Sequence, residues 1–481
     1  MVKSKNNLVR KIGLISGPLF FIILSNLNFF NFNNSAIIVF SLAVWMLIWW
    51  VTESISISVT ALLPLVIFPI FDVMDMNSVG ANYGSSIVFL FFGGFVLALG
   101  LEKVNLHKRI ALYIISKVGG TPNRIIMGFM ISTAFLSMWI TNTASTVVML
   151  PIAISVIKLL IDKNEFNRDD NNFALSVMLG IAFSANAGGI ATIIGTPPNS
   201  VLIGLLENEF NIKITFLKWM VIGLPFTILL LSIIYFVLTR IFFTNKNLSI
   251  DASKSIIKLK LDELGALNSR EKHVLKIFCF TVFLWIFRGL INSIFPNFIL
   301  TDSIISVSAA IALFAIPINF NSQDFVLKWK DTKNLSWGIL LLFGGGLSLA
   351  KAMSETGIIL SVTEFITNTN LSVFIIVLML ICLMLFMTEL MSNVALVAVL
   401  APVVAGVAIG LDIPILHLLI PVTIASSCAF MLPMATPPNA IVFASGYIKI
   451  YDMVRVGILI NFLSILLLII FYKFFIPIIF K

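Results

Sequence analysis

Apolar residues recur in long runs along almost the whole chain, and short polar segments separate these runs. Most runs are about 17 to 25 residues long, which is the length that an α-helix needs to cross the hydrocarbon core of a bilayer. The pattern therefore predicts about 11 transmembrane helices. They lie near residues 12–30, 36–51, 54–71, 85–101, 173–194, 215–243, 275–295, 303–318, 335–352, 414–434 and 453–478.

Two further apolar stretches, residues 125–160 and 371–410, are too long for a single crossing and are polar in the middle. Irregular backbone at membrane depth is tolerated only where it is buried in protein or lines a wet cavity. We therefore predict that each stretch forms a re-entrant hairpin, which enters and leaves the membrane on the same side.

The polar centres of these stretches are two copies of one motif. The copies begin at Ser137 and Thr388, 251 positions apart, and each is followed by a Thr-Pro-Pro-Asn run. These runs begin at Thr196 and Thr436, 240 positions apart, because a charged loop in the first half is shortened in the second. Duplicated breaks within apolar sequence are typical of transporters built from two related halves.

The repeats cover most of the chain, and an odd number of crossings between them would place them in inverted orientation. We predict four regions, which are a cytoplasmic segment with the first transmembrane helix (1–35), a first repeat (36–243), a cytoplasmic linker (244–274) and a second repeat (275–481). The expected fold class is an all-α polytopic membrane protein, in which each repeat holds a re-entrant hairpin and an unwound helix.

Composition supports the membrane setting. Hydrophobic residues make up 59% of the 481 residues and charged residues 11%, and the mean hydropathy is +1.08. A soluble protein of this length could not hide so much apolar surface in its core.

The excess of Lys and Arg gives a net charge of +9, and these residues concentrate in the predicted cytoplasmic segments. The predicted external segments 72–84 and 354–370 contain no Lys or Arg. The segment 206–218 has charges of both signs. The positive-inside rule then places the N-terminus in the cytoplasm, and no nucleic-acid partner is needed to explain the charge.

Enzyme chemistry is not indicated. The three Cys lie within apolar spans without pairing or metal-ligand spacing, and the three His are scattered. An intramembrane enzyme would need a nucleophile, a base or a metal at membrane depth, and no such constellation is visible.

The first motif favours cation binding. From Met127 to Ile157 there is no ionisable residue. Hydroxyls and an amide nevertheless cluster around Asn142. Such groups offer neutral oxygens, and a helix break adds unpaired backbone carbonyls, which suit sodium. Ser137 and Thr141 are four residues apart and share a helix face.

The second motif repeats this arrangement with Thr388 and Ser392. A simpler interpretation is that these residues cap broken helices or bond between helices, but the duplication favours binding. Glu389 is the only ionisable residue of the second stretch, and we favour an acceptor role for it over a proton relay. Because the ligands are neutral, a bound cation would keep its charge and attract an anion nearby.

The segments Trp49–Glu53 and Val59–Pro64, together with the two Asn motifs and both Thr-Pro-Pro-Asn runs, resemble the divalent anion/sodium symporter family. This family transports dicarboxylates, citrate and sulfate, and the resemblance covers nearly the whole chain. It implies two opposed hairpin tips and two unwound helices that form two sodium sites with the anion between them. It also implies a homodimer, in which a hairpin-bearing domain moves against a fixed scaffold in an elevator-like motion.

Carried over by position, the resemblance implies a residue set for each site. The first sodium site would use Ser137, Thr141, Asn142 and Gly195, and the second Thr388, Ser392, Asn393 and Ala435. The anion would meet Asn142, Thr143, Asn393, Val394, Thr196, Pro197, Thr436 and Pro437.

Two positions depart from the family pattern. Thr141 replaces the usual Ser but keeps its hydroxyl, whereas Val394 replaces a Thr and removes a hydroxyl expected to touch the substrate. The departure at Val394 leaves the identity of the anion open.

The sequence therefore predicts a secondary active transporter of a bacterial inner membrane, which uses a sodium gradient to import a small divalent anion. A C4 dicarboxylate such as succinate, malate or fumarate is favoured. Citrate, sulfate, a sodium-independent exchanger, and proton coupling through Glu389 remain alternatives, and an ion-conducting channel is the alternative from a different class.

Overall fold

The computed structural model describes residues 2–27, 32–118, 121–160, 168–243, 259–297, 299–319, 324–367 and 371–480. Regular structure in these ranges is helical apart from an isolated bridge between Asn319 and Asp324. Nine of the described helices are long and apolar enough to cross a membrane, and several shorter apolar helices accompany them. The predicted all-α membrane class is confirmed, while the number of crossings stays a prediction.

The first half begins with α1 and ends with a short π-helical turn after α12. Its helices are α1 Val2–Ser25, α2 Asn34–Thr52, α3 Ile57–Thr60, α4 Leu63–Ile70, α5 Met76–Tyr83, α6 Ser86–Lys103, α7 Leu106–Val118, α8 Pro122–Ser137, α9 Asn142–Leu160, α10 Arg168–Ile190, α11 Pro197–Phe210 and α12 Phe216–Phe236, followed by the π turn Val237–Phe242.

The second half follows the same order from α14 onward. Its helices are α13 (259–263), α14 Ser269–Ile294, α15 Asp302–Ala315, the 3-10 helix Trp329–Asn334, α16 Trp337–Glu355, α17 Ile358–Thr367, α18 Val373–Met387, α19 Asn393–Gly410, α20 Ile415–Ser426, α21 Pro437–Ala444, α22 Ile450–Ile470, the π turn Phe471–Phe475 and α23 Ile476–Ile479.

Two predicted spans end earlier than the apolar pattern suggests. The spans 173–194 and 414–434 stop as helices at Ile190 and Ser426, and irregular backbone continues to the next helix. A residue before proline is pushed out of the helical region. Thr196 and Thr436 accordingly have extended backbones, with φ −139° and −142°, and each precedes a helix that starts with two prolines.

A third predicted span, residues 54–71, is also interrupted. It forms the short helices α3 and α4, with Pro64 at the start of α4 and Pro69 near its end. The apolar run was continuous in sequence, but proline removes backbone donors and shortens the helices.

Two amphipathic helices were missed. The segments of α7 and α17 contain charged residues and were assigned to connections between spans, yet both are helical. In α7 the apolar residues Leu106, Ala111, Leu112 and Ile115 are buried, and their helical spacing was the available signal. The helix packs on α8, as α17 packs on α19.

Among the described candidate spans, α10 is the most buried. Over its apolar window every residue is buried, and the helix packs against α8, α9 and α12 of its own half and against α21 of the other half. This placement brings the end of α10 next to both irregular segments that interrupt the helices.

Candidate functional site

Each Asn motif forms a break between two helices. Residues 138–141 separate α8 from α9, and residues 388–392 separate α18 from α19. Asn142 and Asn393 are the first residues of the helices that follow. The first backbone N–H groups of a helix have no partner within it, and so both breaks present polar backbone to their surroundings. That these helix pairs are re-entrant stays a prediction.

The first break gathers neutral oxygens from three segments. Ser137 Oγ donates to the carbonyl of Ala185 at 2.7 Å and lies 2.5 Å from the amide group of Asn142. With its amide turned to suit its neighbours, Asn142 donates to the carbonyls of Gly195 and Ala185, each at 3.2 Å. Thr141 lies within the break and its Oγ1 accepts the N–H of Ala144 at 3.2 Å. The structure therefore brings together Ser137, Asn142 and Gly195.

The second break repeats the central contacts. Thr388 Oγ1 donates to the carbonyl of Ser426 at 2.6 Å and lies 2.7 Å from the amide group of Asn393. Ser392 is the N-cap residue of α19, and Ala435 is buried in the irregular segment that follows α20. Thr388 and Asn393 thus lie together, with Ser392 and Ala435 on the segments that flank them.

Close packing at the first break requires glycine. A Cβ atom on Gly195 would lie 2.5 Å from the carbonyl oxygen of Gly189, and a Cβ on Gly189 would lie 2.6 Å from the side-chain amide group of Asn142. Cβ atoms essentially never approach other heavy atoms this closely. Two backbone segments and the Asn142 side chain can therefore meet only because neither position carries a side chain.

Two asparagines that the sequence reasoning did not assign hold the irregular segments in place. Asn199 donates to the carbonyl of Thr192 at 2.8 Å, and Asn439 donates to the carbonyls of Ala429 and Leu432, each at 3.1 Å. Both are fully buried. They are the final residues of the two Thr-Pro-Pro-Asn runs, and their duplication was the signal that could have found them.

The two halves use different groups to tie the break to the irregular segment. In the first half, Thr192 Oγ1 donates to the carbonyl of Met138 at 2.6 Å and accepts the N–H of Gly195 at 3.0 Å. The equivalent of Met138 in the second half is Glu389, 251 positions later. The first half therefore uses the Thr192 hydroxyl for this contact, and the second half uses the Glu389 carboxylate.

The predicted acceptor role of Glu389 is confirmed. Its carboxylate accepts the backbone N–H groups of Phe430, Met431 and Leu432 at 2.8, 2.9 and 3.1 Å. The side chain of Asn461 on α22 donates to it at 2.7 Å. Four donors surround this buried side chain and fix the irregular segment after α20 to the second break.

The tips of the two breaks differ in their surroundings. Trp139 in the first break is 8% exposed, stacks on Phe216 with ring centroids 6.2 Å apart and meets Phe278 edge-on at 5.1 Å. The equivalent Leu390 in the second break is 63% exposed. The first tip is therefore anchored on α12 and α14, whereas the second tip has an open apolar side chain.

The residues expected to meet an anion lie at the starts of four helices. Their exposure varies, since the threonines that precede the prolines are buried and the residues after each Asn face outward. Thr196 and Thr436 are buried, Asn142, Asn393, Val394 and Pro197 are partly exposed, and Thr143 and Pro437 are exposed. Within the described ranges, no group of three or more His, Cys, Asp or Glu side chains could hold a metal ion.

Comparison with known proteins decides the family. The family model described as the sodium:sulfate symporter transmembrane region matches residues 20–481. The chain belongs to this family. The resemblance that the paired motifs indicated is thereby confirmed, and the protein is a multi-pass membrane protein of a transporter family.

Two relatives of this symporter-family chain carry the name sodium-dependent dicarboxylate transporter SdcS. The protein from Staphylococcus saprophyticus is 38% identical over 484 residues, covering 98% of this chain and 92% of its own length. The protein from Staphylococcus aureus strain USA300 is 38% identical over 477 residues, covering 97% and 91%.

Solved structures show a similar fold at low sequence identity. The Alcanivorax borkumensis YdaH transporter superposes with a TM-score of 0.58 at 13% identity, covering 83% of this chain and 87% of its own. Neisseria gonorrhoeae MtrF superposes with a TM-score of 0.53 at 12% identity, covering 84% of each chain. At these identities the likeness concerns the fold alone.

Proposed function

We propose that the protein is a secondary active transporter that imports a small divalent anion with sodium, and that the anion is a C4 dicarboxylate such as succinate, malate or fumarate. The observation that carries the proposal is the pair of matching oxygen clusters at Ser137 and Thr388. The relatives named as sodium-dependent dicarboxylate transporters, which match over almost the whole chain, support the substrate class.

Sodium suits the groups that the breaks provide. The clusters offer hydroxyl, amide and backbone carbonyl oxygens without a carboxylate among the ligands, and hard monovalent cations accept such neutral oxygens. We assign one ion to each cluster. The first would be held by Ser137, Thr141, Asn142 and Gly195, and the second by Thr388, Ser392, Asn393 and Ala435.

Neutral ligands link sodium binding to anion binding. A sodium ion in such a site keeps its charge, and at about 5 Å with an effective dielectric near 20 it would stabilise a unit negative charge by roughly 3 kcal/mol. Either ligand then raises the affinity for the other. The anion would lie between the two ions, near Asn142, Thr143, Asn393, Val394 and the threonines and prolines at the starts of α11 and α21.

The transport cycle needs access from both sides of the membrane. We propose that the two repeats, 36–243 and 275–481, are inverted and that the hairpin-bearing domain moves against a scaffold in an elevator-like motion. A homodimer in the bacterial inner membrane with cytoplasmic N-termini would provide the fixed scaffold. The linker 244–274 would lie on the cytoplasmic side.

Sulfate is the second candidate substrate, because the matching family is described as sodium:sulfate symporters. Sulfate offers oxygens on every side and no apolar portion, whereas a C4 dicarboxylate presents carboxylates at both ends and carbon between them. The methyl groups of Val394, where the family pattern has a hydroxyl, suit carbon better than a sulfate oxygen.

Uptake of radiolabelled succinate into proteoliposomes tests the proposal, with an inward sodium gradient compared against an equal potassium gradient. The expected result is sodium-dependent accumulation that saturates and that excess sulfate does not block. Uptake that neither saturates nor concentrates succinate would instead identify a channel. Sodium-dependent uptake of sulfate but not succinate would identify the second candidate.

A further inference from the structure

One buried amide joins the two halves of the site. Asn186 lies on α10 of the first half, four residues before the helix ends, and is 1% exposed. Its neighbour Ala185 supplies the carbonyl that accepts Ser137 Oγ at the first oxygen cluster. Position 186 therefore lies beside the first cluster along the chain, but its side chain points elsewhere.

Among the described residues, the hydrogen-bond partners of the Asn186 amide nitrogen all belong to the second half. It lies 3.2 Å from the carbonyl oxygen of Ala429, 3.0 Å from Thr436 Oγ1 and 3.2 Å from Asn439 Oδ1. A carbonyl and an amide oxygen can only accept, and so the nitrogen of Asn186 must face them and donate. These acceptors belong to the irregular segment after α20 and to the start of α21.

Among the described residues, the equivalent side chain of the second half makes no matching hydrogen bond to the first half. By the 240-residue register of the proline runs, the position equivalent to Asn186 is Ser426, whose Oγ donates to the carbonyl of Thr423 in its own helix at 2.7 Å. Apolar contacts flank the bridge, since the ring of Phe183 meets that of Phe430 at 5.2 Å. The polar link to Thr436 is made from the first half by Asn186.

We propose that Asn186 is a positioning residue that couples the first ion site to the anion-binding end of the second half. This rests on the proposed function. A sodium ion at the first cluster would fix the end of α10 through Ala185, and Asn186 would hold Thr436 at the place where the anion binds. Binding at one half then reaches the other through Ala185 and Asn186, two adjacent buried residues of α10.

Sodium and succinate binding to the purified full-length protein test this coupling. The thermal melting temperature is measured over a range of sodium concentrations, with potassium replacing sodium, at low and at saturating succinate. In the unmodified protein, saturating succinate should lower the sodium concentration that gives half of the stabilisation. The ratio of the two half-saturating concentrations measures the coupling.

Two variants break the contact in different ways. Asn186→Asp keeps the shape but cannot donate when ionised. Asn186→Ser installs the residue found at the equivalent position, and its shorter side chain withdraws the donor from Thr436. In both variants the coupling ratio should fall about tenfold towards one, as expected for the loss of a buried hydrogen bond. Asn82→Ser is the matched control, because Asn82 is also buried but donates to Ser348 on α16, which is not a hydrogen-bond partner of either cluster.

A structural role alone would lower the melting temperature without sodium and leave the coupling ratio unchanged, as is expected of the control. An unchanged ratio in Asn186→Ser would therefore overturn the inference even if Asn186→Asp does not fold. Absence of any sodium effect in the unmodified protein would overturn the proposed function itself, and the coupling role with it.

Discussion

Ser137 and Thr388, 251 positions apart in the chain, make the same two contacts. Each hydroxyl donates to a carbonyl on a neighbouring helix, at 2.7 Å to Ala185 and 2.6 Å to Ser426. Each also lies against the amide of an Asn five residues later, at 2.5 and 2.7 Å. One small side chain in each half thus ties the end of a helix, the break and a second helix together.

Removing either hydroxyl should weaken sodium binding. Ser137→Ala and Thr388→Ala each delete an oxygen from a cluster of neutral ligands, and we expect the half-saturating sodium concentration to rise about tenfold or more. Thr388→Ser keeps the hydroxyl and is the matched control. Its half-saturating sodium concentration should change by less than about threefold. Sodium titration of succinate uptake provides the measurement. Unchanged sodium dependence in Ser137→Ala would remove that residue from the ion site.

A methyl group at Gly195 should disrupt the first cluster. The added Cβ would lie 2.5 Å from the Gly189 carbonyl, and backbone would have to shift to relieve the contact. Overpacking of this kind costs about 1–3 kcal/mol, and we expect sodium-dependent uptake to be lost with it. Gly80→Ala is the control, because nothing lies within 4 Å of its Cβ position on α5. Equal behaviour of the two variants in thermal unfolding would contradict the packing argument.

Replacing Glu389 should loosen the second half more than any neutral residue near it. In Glu389→Gln an NH₂ group must face backbone N–H donors, and at least one donor loses its partner, which we expect to cost about 2–4 kcal/mol. Thermal unfolding measures this loss. The same variant tests proton coupling, since pH-dependent transport that survives in Glu389→Gln would exclude this carboxylate as the proton relay.

Val394 is expected to affect which anion is chosen. It is partly exposed at the first turn of α19, next to Asn393, where the first half has the exposed Thr143. Val394→Thr restores a hydroxyl that can bond to an anion oxygen, and so we expect competition by citrate and sulfate against succinate uptake to change by about five- to tenfold. An identical substrate profile would show that this position does not determine selectivity.

Stability should depend on pH through Glu209 at the end of α11. Burial and the nearby Glu355 carboxylate raise the pKa of Glu209 from its ordinary value of 4.5 to about 7, while Lys351 opposes the shift. The folded protein holds this proton more tightly than the unfolded chain does. The free energy of unfolding contributed by this group is therefore present at low pH and is lost as the pH rises from about 4.5 through about 7.

Melting temperature measured against pH tests the assignment. Glu209→Gln should flatten the curve in this range, and Glu355→Gln should move the transition to lower pH because it removes a repelling charge. Lys351→Gln should move it to higher pH. A curve that keeps its shape in Glu209→Gln would assign the pH dependence to another group.

The sequence predicted the two helix breaks well because the residues that mark each break lie close to it in the chain. Polar residues inside apolar runs act within a few residues, and α8 and α18 indeed end next to the Asn motifs, at Ser137 and Met387. Hydropathy alone could not predict where α10 and α20 stop, since the residues after Ile190 and Ser426 are still largely apolar. Side-chain hydrogen bonds from Asn199 and Asn439 hold the backbone between each helix end and the prolines that follow, and these contacts are not visible in hydropathy.

Contacts across the two halves were beyond sequence reasoning. Asn186 is one of several polar residues in an apolar helix, and nothing in its neighbourhood along the chain indicates Thr436, 250 positions away. The register of the repeat relates equivalent positions, whereas this contact joins non-equivalent ones. The amphipathic helix α7 lay outside the predicted spans for a different reason, because its charged residues interrupt the apolar pattern.

The unequal tips have a kinetic consequence. If the breaks move during transport, displacing the first tip separates Trp139 from Phe216 and Phe278, and aromatic pairs contribute about 0.5–1.5 kcal/mol each beyond burial. Leu390 at the second tip has no such stack and is largely exposed. The activation barrier should therefore be higher for opening on the side of the first tip. With the repeats inverted as proposed, substrate release and reloading are then expected to run at different rates on the two faces of the membrane, although the half-sites are built alike.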